Sequence, residues 1–149
     1  MKLKDICVLD AITCLPTATI AEAARLMRQK HVGDLIVIDD ADEEKEPIGI
    51  VTDRDIVLEV IALGRDPAGV KVGEIMTTHL VVASASEDVG TAIERMRSQG
   101  VRRVPVVDDN GLIVGIITLD DLLKVHADQA QALASIVANA QKKENRGRR

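Results

Sequence analysis

Two stretches of the chain carry apolar residues at the spacing of a helix with one buried face. The second stretch repeats the first 69 positions later. The apolar positions are Ile20, Ala23, Ala24 and Met27 in the first stretch, and Val89, Ala92, Ile93 and Met96 in the second. This periodicity predicts two equivalent amphipathic helices. Hydroxyl residues suited to capping precede both helices, namely Thr17, Thr19, Ser84 and Ser86.

Short apolar runs after each helix predict a pair of strands in each half. Residues 35–38 and 104–107 form the first strand of each pair, and residues 48–51 and 114–117 form the second. The offset falls to 66 at the second strands because the first turn is three residues longer. Asn110-Gly111 favours a hairpin turn. The acidic turn between Asp39 and Pro47 lacks the spacing and glycine of an EF-hand, which favours a solvated loop over a cation site.

The order of elements predicts an α+β fold made of two β-α-β-β-α repeats, packed with pseudo-twofold symmetry because neither repeat buries much surface alone. We expect repeat 1 at residues 1–64, a linker at 65–73 and repeat 2 at 74–127. A helical extension should cover 128–141, with Leu133, Ile136, Val137 and Ala140 on one side in need of cover. Residues 142–149 are predicted to be a basic disordered tail, although such a tail is also suited to an anionic partner.

Composition and charge exclude several classes of function. The net charge is −5, and because the last eight residues hold five positive charges and one negative, the rest carries −9, which argues against a nucleic-acid partner. No run approaches the length of a membrane span and no signal peptide is visible, so we expect a cytoplasmic protein without a membrane partner. The chain has no Phe, Tyr or Trp, so a bound ring must lie between aliphatic side chains.

The residues that most often carry catalysis are dispersed. His31, His79 and His126 flank no constellation of nucleophile and base, and Cys7 and Cys14 have neither metal-site nor redox-pair spacing. We therefore predict no enzyme activity, no metal and no catalytic cofactor.

Two copies of one short motif follow the second strand of each repeat. Gly49-Ile-Val-Thr52-Asp-Arg-Asp55 and Gly115-Ile-Ile-Thr118-Leu-Asp-Asp121 resemble the Gly-h-h-Thr-x-x-Asp signature, with h apolar, of cystathionine β-synthase (CBS) domains. Residues 101–108 and 74–77 are similar to that family as well. The resemblance covers Met1 to about Ala127 and implies a tandem pair, a Bateman module, whose two clefts bind AMP, ADP, ATP, NAD-like or other adenosyl ligands.

The chemistry of the motif agrees with such a ligand. Thr52 and Thr118 stand where a strand becomes a helix, so backbone N–H groups and the helix dipole favour a phosphate there, and the threonine hydroxyl adds a donor. Asp55 and Asp121 lie three residues further, on the same face, where a carboxylate can accept hydrogen bonds from ribose hydroxyls. Threonine and aspartate at these positions also cap a helix with no ligand at all, and that alternative stays open.

Other site residues follow from the resemblance. It implies that Arg102 and Arg103 bind phosphate in the Asp121 cleft, beside Asp120. The repeat that carries Asp55 has Gly33 and Asp34 in place of the two arginines, so its cleft either uses Arg54 or prefers a less charged ligand. The alternative for the arginines is favourable placement at a helix C-terminus. Base contacts would come from the opposite repeat: Ile12, Val32 and Asp34 for the Asp121 cleft, and Met76, Val81 and Val101 for the Asp55 cleft.

Two functions of different class follow. The first is an adenine-nucleotide-sensing regulatory module, expected to be a homodimer and to act on a separate regulated protein, if on any. The second is a dimerisation scaffold with empty clefts. The clustered Arg102 and Arg103 favour the first, and the Asp121 cleft should be the better phosphate site.

Overall fold

Each repeat folds into a small three-stranded sheet with helices beside it. The structure, a computed structural model, describes residues 1–9, 11–39 and 46–148; most of the acidic turn lies outside these residues. Repeat 1 comprises β1 (Thr13–Cys14), α1 (Ile20–Lys30), β2 (Asp34–Ile38), β3 (Pro47–Thr52) and α2 (Asp53–Ile56), which continues as a π-helical segment (Val57–Ile61). Repeat 2, preceded by α3 (Val72–Ile75), comprises β4 (Ala83–Ser84), α4 (Val89–Gln99), β5 (Arg103–Val107), β6 (Ile113–Thr118) and α5 (Leu119–Gly147).

The two sheets have the same topology and register. β2 pairs with β1 in parallel and with β3 antiparallel, and β5 pairs in the same way with β4 and β6. Val37 faces Gly49 in one sheet and Val106 faces Gly115 in the other, each next to a register shift. The predicted α+β class and β-α-β-β-α order are therefore confirmed.

The predicted helical stripes face two separate cores. Ile20, Ala23 and Met27 are buried with β2 in the first core, and the equivalent residues of α4 are buried with β5 in the second. Ala24 is exposed, contrary to the predicted stripe, and Leu26 packs against the core instead. Thr19 caps α1 in a reciprocal capping box with Glu22, whereas α4 begins after Asp88 and neither predicted serine caps it.

The segment before each repeat packs on the opposite repeat. Leu3 and Cys7 belong to the second core, and Val8 bridges to Ile116 of β6. Val72 belongs to the first core, and Thr77 bridges to Ile50 of β3. The boundaries predicted from the sequence assign residues 1–8 to repeat 1 and Thr77 to repeat 2, so the spatial units differ from the sequence units. The two segments are thus exchanged between the repeats, and this exchange holds the two halves together in a pseudo-twofold arrangement.

The C-terminal helix is longer than predicted. α5 runs unbroken for 29 residues, through the stretch expected to be a disordered tail, and residues 126–148 are exposed. Lysine, arginine, glutamate and glutamine are good helix formers, and positive charge at a helix C-terminus is stabilised by the helix dipole, which accounts for the difference. Among the helices described, none is long and apolar enough to span a membrane.

Candidate functional site

Both Thr-x-x-Asp motifs form capping boxes at the start of a helix. The Thr118 N–H donates to Asp121 Oδ2 at 2.9 Å, and the Asp121 N–H donates back to Thr118 Oγ1 at 3.2 Å. Thr52 and Asp55 make the same two bonds, at 2.9 and 3.1 Å. The capping alternative is thus part of the structure. In each motif the carboxylate uses Oδ2 for the cap, which leaves Oδ1 for a ligand.

The hydroxyl of Thr118 is already engaged. Its Oγ1 donates to Asp121 Oδ2 at 2.8 Å, so it cannot donate to a phosphate without breaking that bond. The threonine hydroxyl was expected to supply a phosphate donor, and in this geometry the backbone is the freer donor.

The first backbone N–H groups of α2 and α5 are bonded alike in the two repeats, and the second ones differ. The Asp53 N–H donates to the Gly33 carbonyl at 3.0 Å, and the equivalent Leu119 N–H donates to the Arg102 carbonyl at 2.8 Å. The next N–H of α2, that of Arg54, donates to the side chain of Asp53 at 2.8 Å. Leu119 offers no such acceptor to the Asp120 N–H, so that donor is available to an anion at the start of α5.

Two adjoining cavities, of about 260 and 190 Å³, surround the start of α5. They share Gly33, Asp34 and Thr118. The larger is polar and is also lined by Arg102, Arg103, Leu119 and Asp120. The smaller is mainly apolar and is also lined by Val8, Ala11, Ile12, Val32, Ile116 and Asp121. The structure therefore brings together the residues predicted for the Asp121 cleft.

A cavity of about 450 Å³ lies beside the start of α2. It contains four of the residues predicted for the Asp55 cleft: Thr52, Arg54, Val81 and Val101. Asp55 and Met76 are not in its wall; Met76 packs against the first core. The wall also contains residues that sequence reasoning missed, including Thr77, His79 and Leu80. The 69-residue offset relates Thr77 to Val8 and Leu80 to Ala11, so the repeat itself held the signal.

Arg102 and Arg103 line both clefts, although the sequence assigned them to the Asp121 cleft alone. Arg103 Nη1 lies 3.0 Å from Asp34 Oδ2 and donates to the Gly33 carbonyl at 3.3 Å. The two side chains are 30% and 18% exposed. This ion pair joins β5 to β2 between the two clefts.

Asp34 is held in an unfavourable environment for a charge. Burial raises the pKa of its carboxyl above the ordinary value; Arg103 opposes that rise, while Asp53 and Asp121 add to it. A ligand group that donates a hydrogen bond to Asp34 would relieve part of this cost.

Another cavity, of about 470 Å³, lies elsewhere, between α4 and α5. Its wall is mostly apolar and includes Ile93, Met96, Leu122 and Leu123. Its wall contains Leu119, the first residue of α5, but it contains no carboxylate, whereas both clefts do.

The remaining candidate groups show no catalytic arrangement in the part of the chain described. Burial raises the pKa of the Cys14 thiol to about 11 and that of Cys7 above its ordinary value, which disfavours reactive thiolates. His126 Nδ1 donates to the Leu122 carbonyl at 2.9 Å. Residues 1–9, 11–39 and 46–148 contain no group of three or more His, Cys, Asp or Glu placed to hold a metal.

Comparison with known proteins decides the family. A model of the CBS domain matches residues 3–62 and 72–128. The chain belongs to the CBS domain family. An uncharacterised protein of Methanopyrus kandleri is 39% identical over 116 residues, 78% of this chain and 58% of that protein. The chain thus spans less than two thirds of that relative.

Two solved CBS structures are similar to this pair of domains. A CBS domain protein from Pyrobaculum aerophilum, complexed with AMP, has a TM-score of 0.75 and 26% identity, over 82% of this chain and 90% of that one. The CBS domain pair of protein MJ0100, in complex with 5′-methylthioadenosine and S-adenosyl-L-methionine, has a TM-score of 0.76 and 28% identity, over 87% of this chain and 98% of that one. Both of these similar CBS proteins were thus solved with adenosyl ligands bound.

Proposed function

We propose that this CBS pair is a regulatory module that binds an adenine nucleotide in the Asp121 cleft and changes its association, or that of a separate partner protein, on binding. One observation carries the proposal: an apolar cavity and a polar cavity adjoin at the start of α5, with two arginines beside the polar one. A nucleotide likewise joins a flat, largely apolar base to a charged phosphate. The AMP and S-adenosylmethionine complexes of similar CBS structures support this choice of ligand.

The base fits the apolar cavity. Ile12 and Val32 line it and offer aliphatic faces in a chain without aromatic rings. Asp34 is suited to accept from the adenine amino group, which would compete with Arg103 for the same carboxylate. Hypoxanthine has a carbonyl oxygen where adenine has this amino group and cannot donate to the carboxylate, so we expect adenine to bind more tightly.

The ribose and phosphate fit the polar side. Asp121 Oδ1 is the oxygen left to accept ribose hydroxyls once the cap has taken Oδ2. The Asp120 N–H and the guanidinium groups of Arg102 and Arg103 are suited to hold the phosphate, with the dipole of the long helix α5 behind them.

The Asp55 cleft is proposed as the weaker phosphate site. Its helix start is occupied by the side chain of Asp53, which supplies the negative charge that a phosphate would otherwise bring. This cleft is also lined by three arginines that would attract a phosphate, namely Arg54, Arg102 and Arg103. We give more weight to Asp53 because it lies at the helix start itself.

The test is calorimetric titration of the full chain with AMP, ADP, ATP, NAD and S-adenosylmethionine; intrinsic fluorescence is not useful because the chain has no Trp or Tyr. Asp121→Asn keeps an oxygen for the cap but removes the charge that accepts from ribose, so it should abolish the tighter site. Asp128→Asn, on the same helix and exposed, is the matched control. An unaltered chain that binds no adenosyl ligand at millimolar concentration would instead support the dimerisation scaffold. A cytoplasmic location stays a prediction.

A further inference from the structure

The C-terminal part of α5 exposes an apolar stripe along its length. Leu133, Ile136 and Val137 are 65%, 63% and 59% exposed. All described residues from 126 onward are exposed, so no other part of the chain that the structure describes covers this stripe. Most of the stability of a helix in a protein comes from packing an apolar face, and here that face is left exposed. The stripe therefore calls for a partner.

The stripe has the spacing of a coiled-coil seam. From His126 onward, seam positions alternate at intervals of four and three residues. They are His126, Ala130, Leu133, Val137, Ala140 and Glu144. Alternating intervals of this kind keep one face of a helix against one partner helix. The alanines permit close approach of the two backbones.

A second copy of α5 complements this seam when it runs antiparallel. Leu133 then faces Val137 of the other copy, Ala130 faces Ala140, and His126 faces Glu144, and the twofold axis repeats each pair. In a parallel pair, Glu144 would face Glu144 across the seam, which is unfavourable. The seam is thus complementary to a second copy of itself that runs in the opposite direction.

Charge along α5 favours the same orientation. The start of the helix carries Asp120, Asp121 and Asp128, and its end carries Lys142, Lys143, Arg146 and Arg148. Antiparallel pairing brings the acidic start of one copy to the basic end of the other, whereas parallel pairing brings the two basic ends together. The seam also continues, through His126 and Leu123, into the wall of the apolar cavity between α4 and α5. The end of the paired helix would lie over these two residues, at the edge of the cavity.

We propose that two copies of this chain associate through an antiparallel pairing of α5 along the seam from His126 to Glu144. The partner is a second copy of the chain, and the pairing does not depend on a ligand in either cleft. From His126 to Glu144 the seam is about 27 Å long, or five helical turns.

Sedimentation equilibrium of the full chain tests the surface. Leu133→Asp places a carboxylate against Val137 of the other copy, and we expect the dissociation constant of the dimer to rise about a hundredfold or more. Ser135→Asp adds the same charge on the opposite face of the same exposed stretch and should leave the dimer intact. A dimer that Leu133→Asp does not weaken, or an unaltered chain that is monomeric at sub-millimolar concentration, overturns the proposal. Circular dichroism confirms that both variants keep the fold.

Oxidative cross-linking tests the orientation. Ala130→Cys and Ala140→Cys are each oxidised alone and as a mixture, with the unaltered chain as background because Cys7 is buried and Cys14 half-buried. Antiparallel pairing predicts covalent dimers that contain one chain of each variant. Efficient self-linking of each variant alone would show parallel pairing and refute the orientation. Absence of linking in every sample, beside a dimer that Leu133→Asp does not affect, would place the contact on another surface.

Discussion

Removal of the Asp53 side chain should convert the Asp55 cleft into a better phosphate site. Asp53 Oδ1 accepts from the Arg54 N–H at 2.8 Å and so satisfies the donor that a phosphate would use. Asp53→Ala frees this N–H and removes a negative charge from a wall that also contains Arg54, Arg102 and Arg103. Repeat 2 already has this arrangement, since Leu119 stands at the equivalent position.

The expected gain in AMP affinity is that of one hydrogen bond, since the Arg54 N–H would donate to the phosphate in place of Asp53. A hydrogen bond to a charged group contributes about 1.5–3 kcal/mol, and Asp53 is exposed, so we take about 1.4 kcal/mol, which is a tenfold gain in affinity for AMP. Adenosine has no phosphate, and its affinity should stay the same. The loss of an acidic residue from the first turn of α2 should lower the free energy of unfolding by about 0.5 kcal/mol.

Calorimetry with AMP and adenosine measures the effect, in an Asp121→Asn background so that only the Asp55 cleft is titrated. Glu59→Ala, in the π-helical segment and outside the cavity wall, changes the net charge equally and serves as the control. An unchanged AMP affinity in Asp53→Ala would refute the role given to this carboxylate. An equal gain in Glu59→Ala would show that only the overall charge matters.

Two further predictions concern stability, measured by chemical or thermal unfolding with circular dichroism. Burial raises the pKa of Asp34 above its ordinary value of 3.8, so the folded state binds its proton more tightly than the unfolded state. The stability of the unaltered chain relative to Asp34→Asn should therefore fall as the pH rises from below 3.8 through the raised pKa, and a relative stability that rises over this range would contradict the assignment. Gly115→Ala should lower the free energy of unfolding by about 1–3 kcal/mol, because the added Cβ would lie 2.6 Å from the Val8 carbonyl oxygen. Gly49→Ala should lower it less, because the atom nearest to its added Cβ, at 2.7 Å, is the sulfur of the movable Met76 side chain. Equal losses for the two glycines would argue against this difference in rigidity.

The sequence was informative wherever the determining interaction is local. The helical stripes, the strand pairs and the two Thr-x-x-Asp turns depend on residues within a few positions of one another, and all were predicted. These features need no knowledge of how distant segments pack. The Asp121 cleft joins segments of both repeats, and its residues were expected from the family resemblance and not from a local pattern.

The features that the sequence did not reveal depend on packing between distant segments. Nothing near Leu3 or Cys7 indicates that these residues complete the core of the second repeat. Arg102 and Arg103 line both clefts because β5 lies beside the first repeat, where Arg103 meets Asp34. The Asp53 contact with the Arg54 N–H is local, yet its effect on a ligand depends on the cavity around it.

The exchange of N-terminal segments between the repeats has a consequence for unfolding. Leu3 and Cys7 complete one core and Val72 the other, so neither core is whole until both halves of the chain have folded. The pair should therefore melt in a single cooperative transition, and an excised repeat should not fold alone. A cut between Gly64 and Pro67 would leave each fragment with the segment that its partner needs, so two fragments mixed together should recover the fold by complementation.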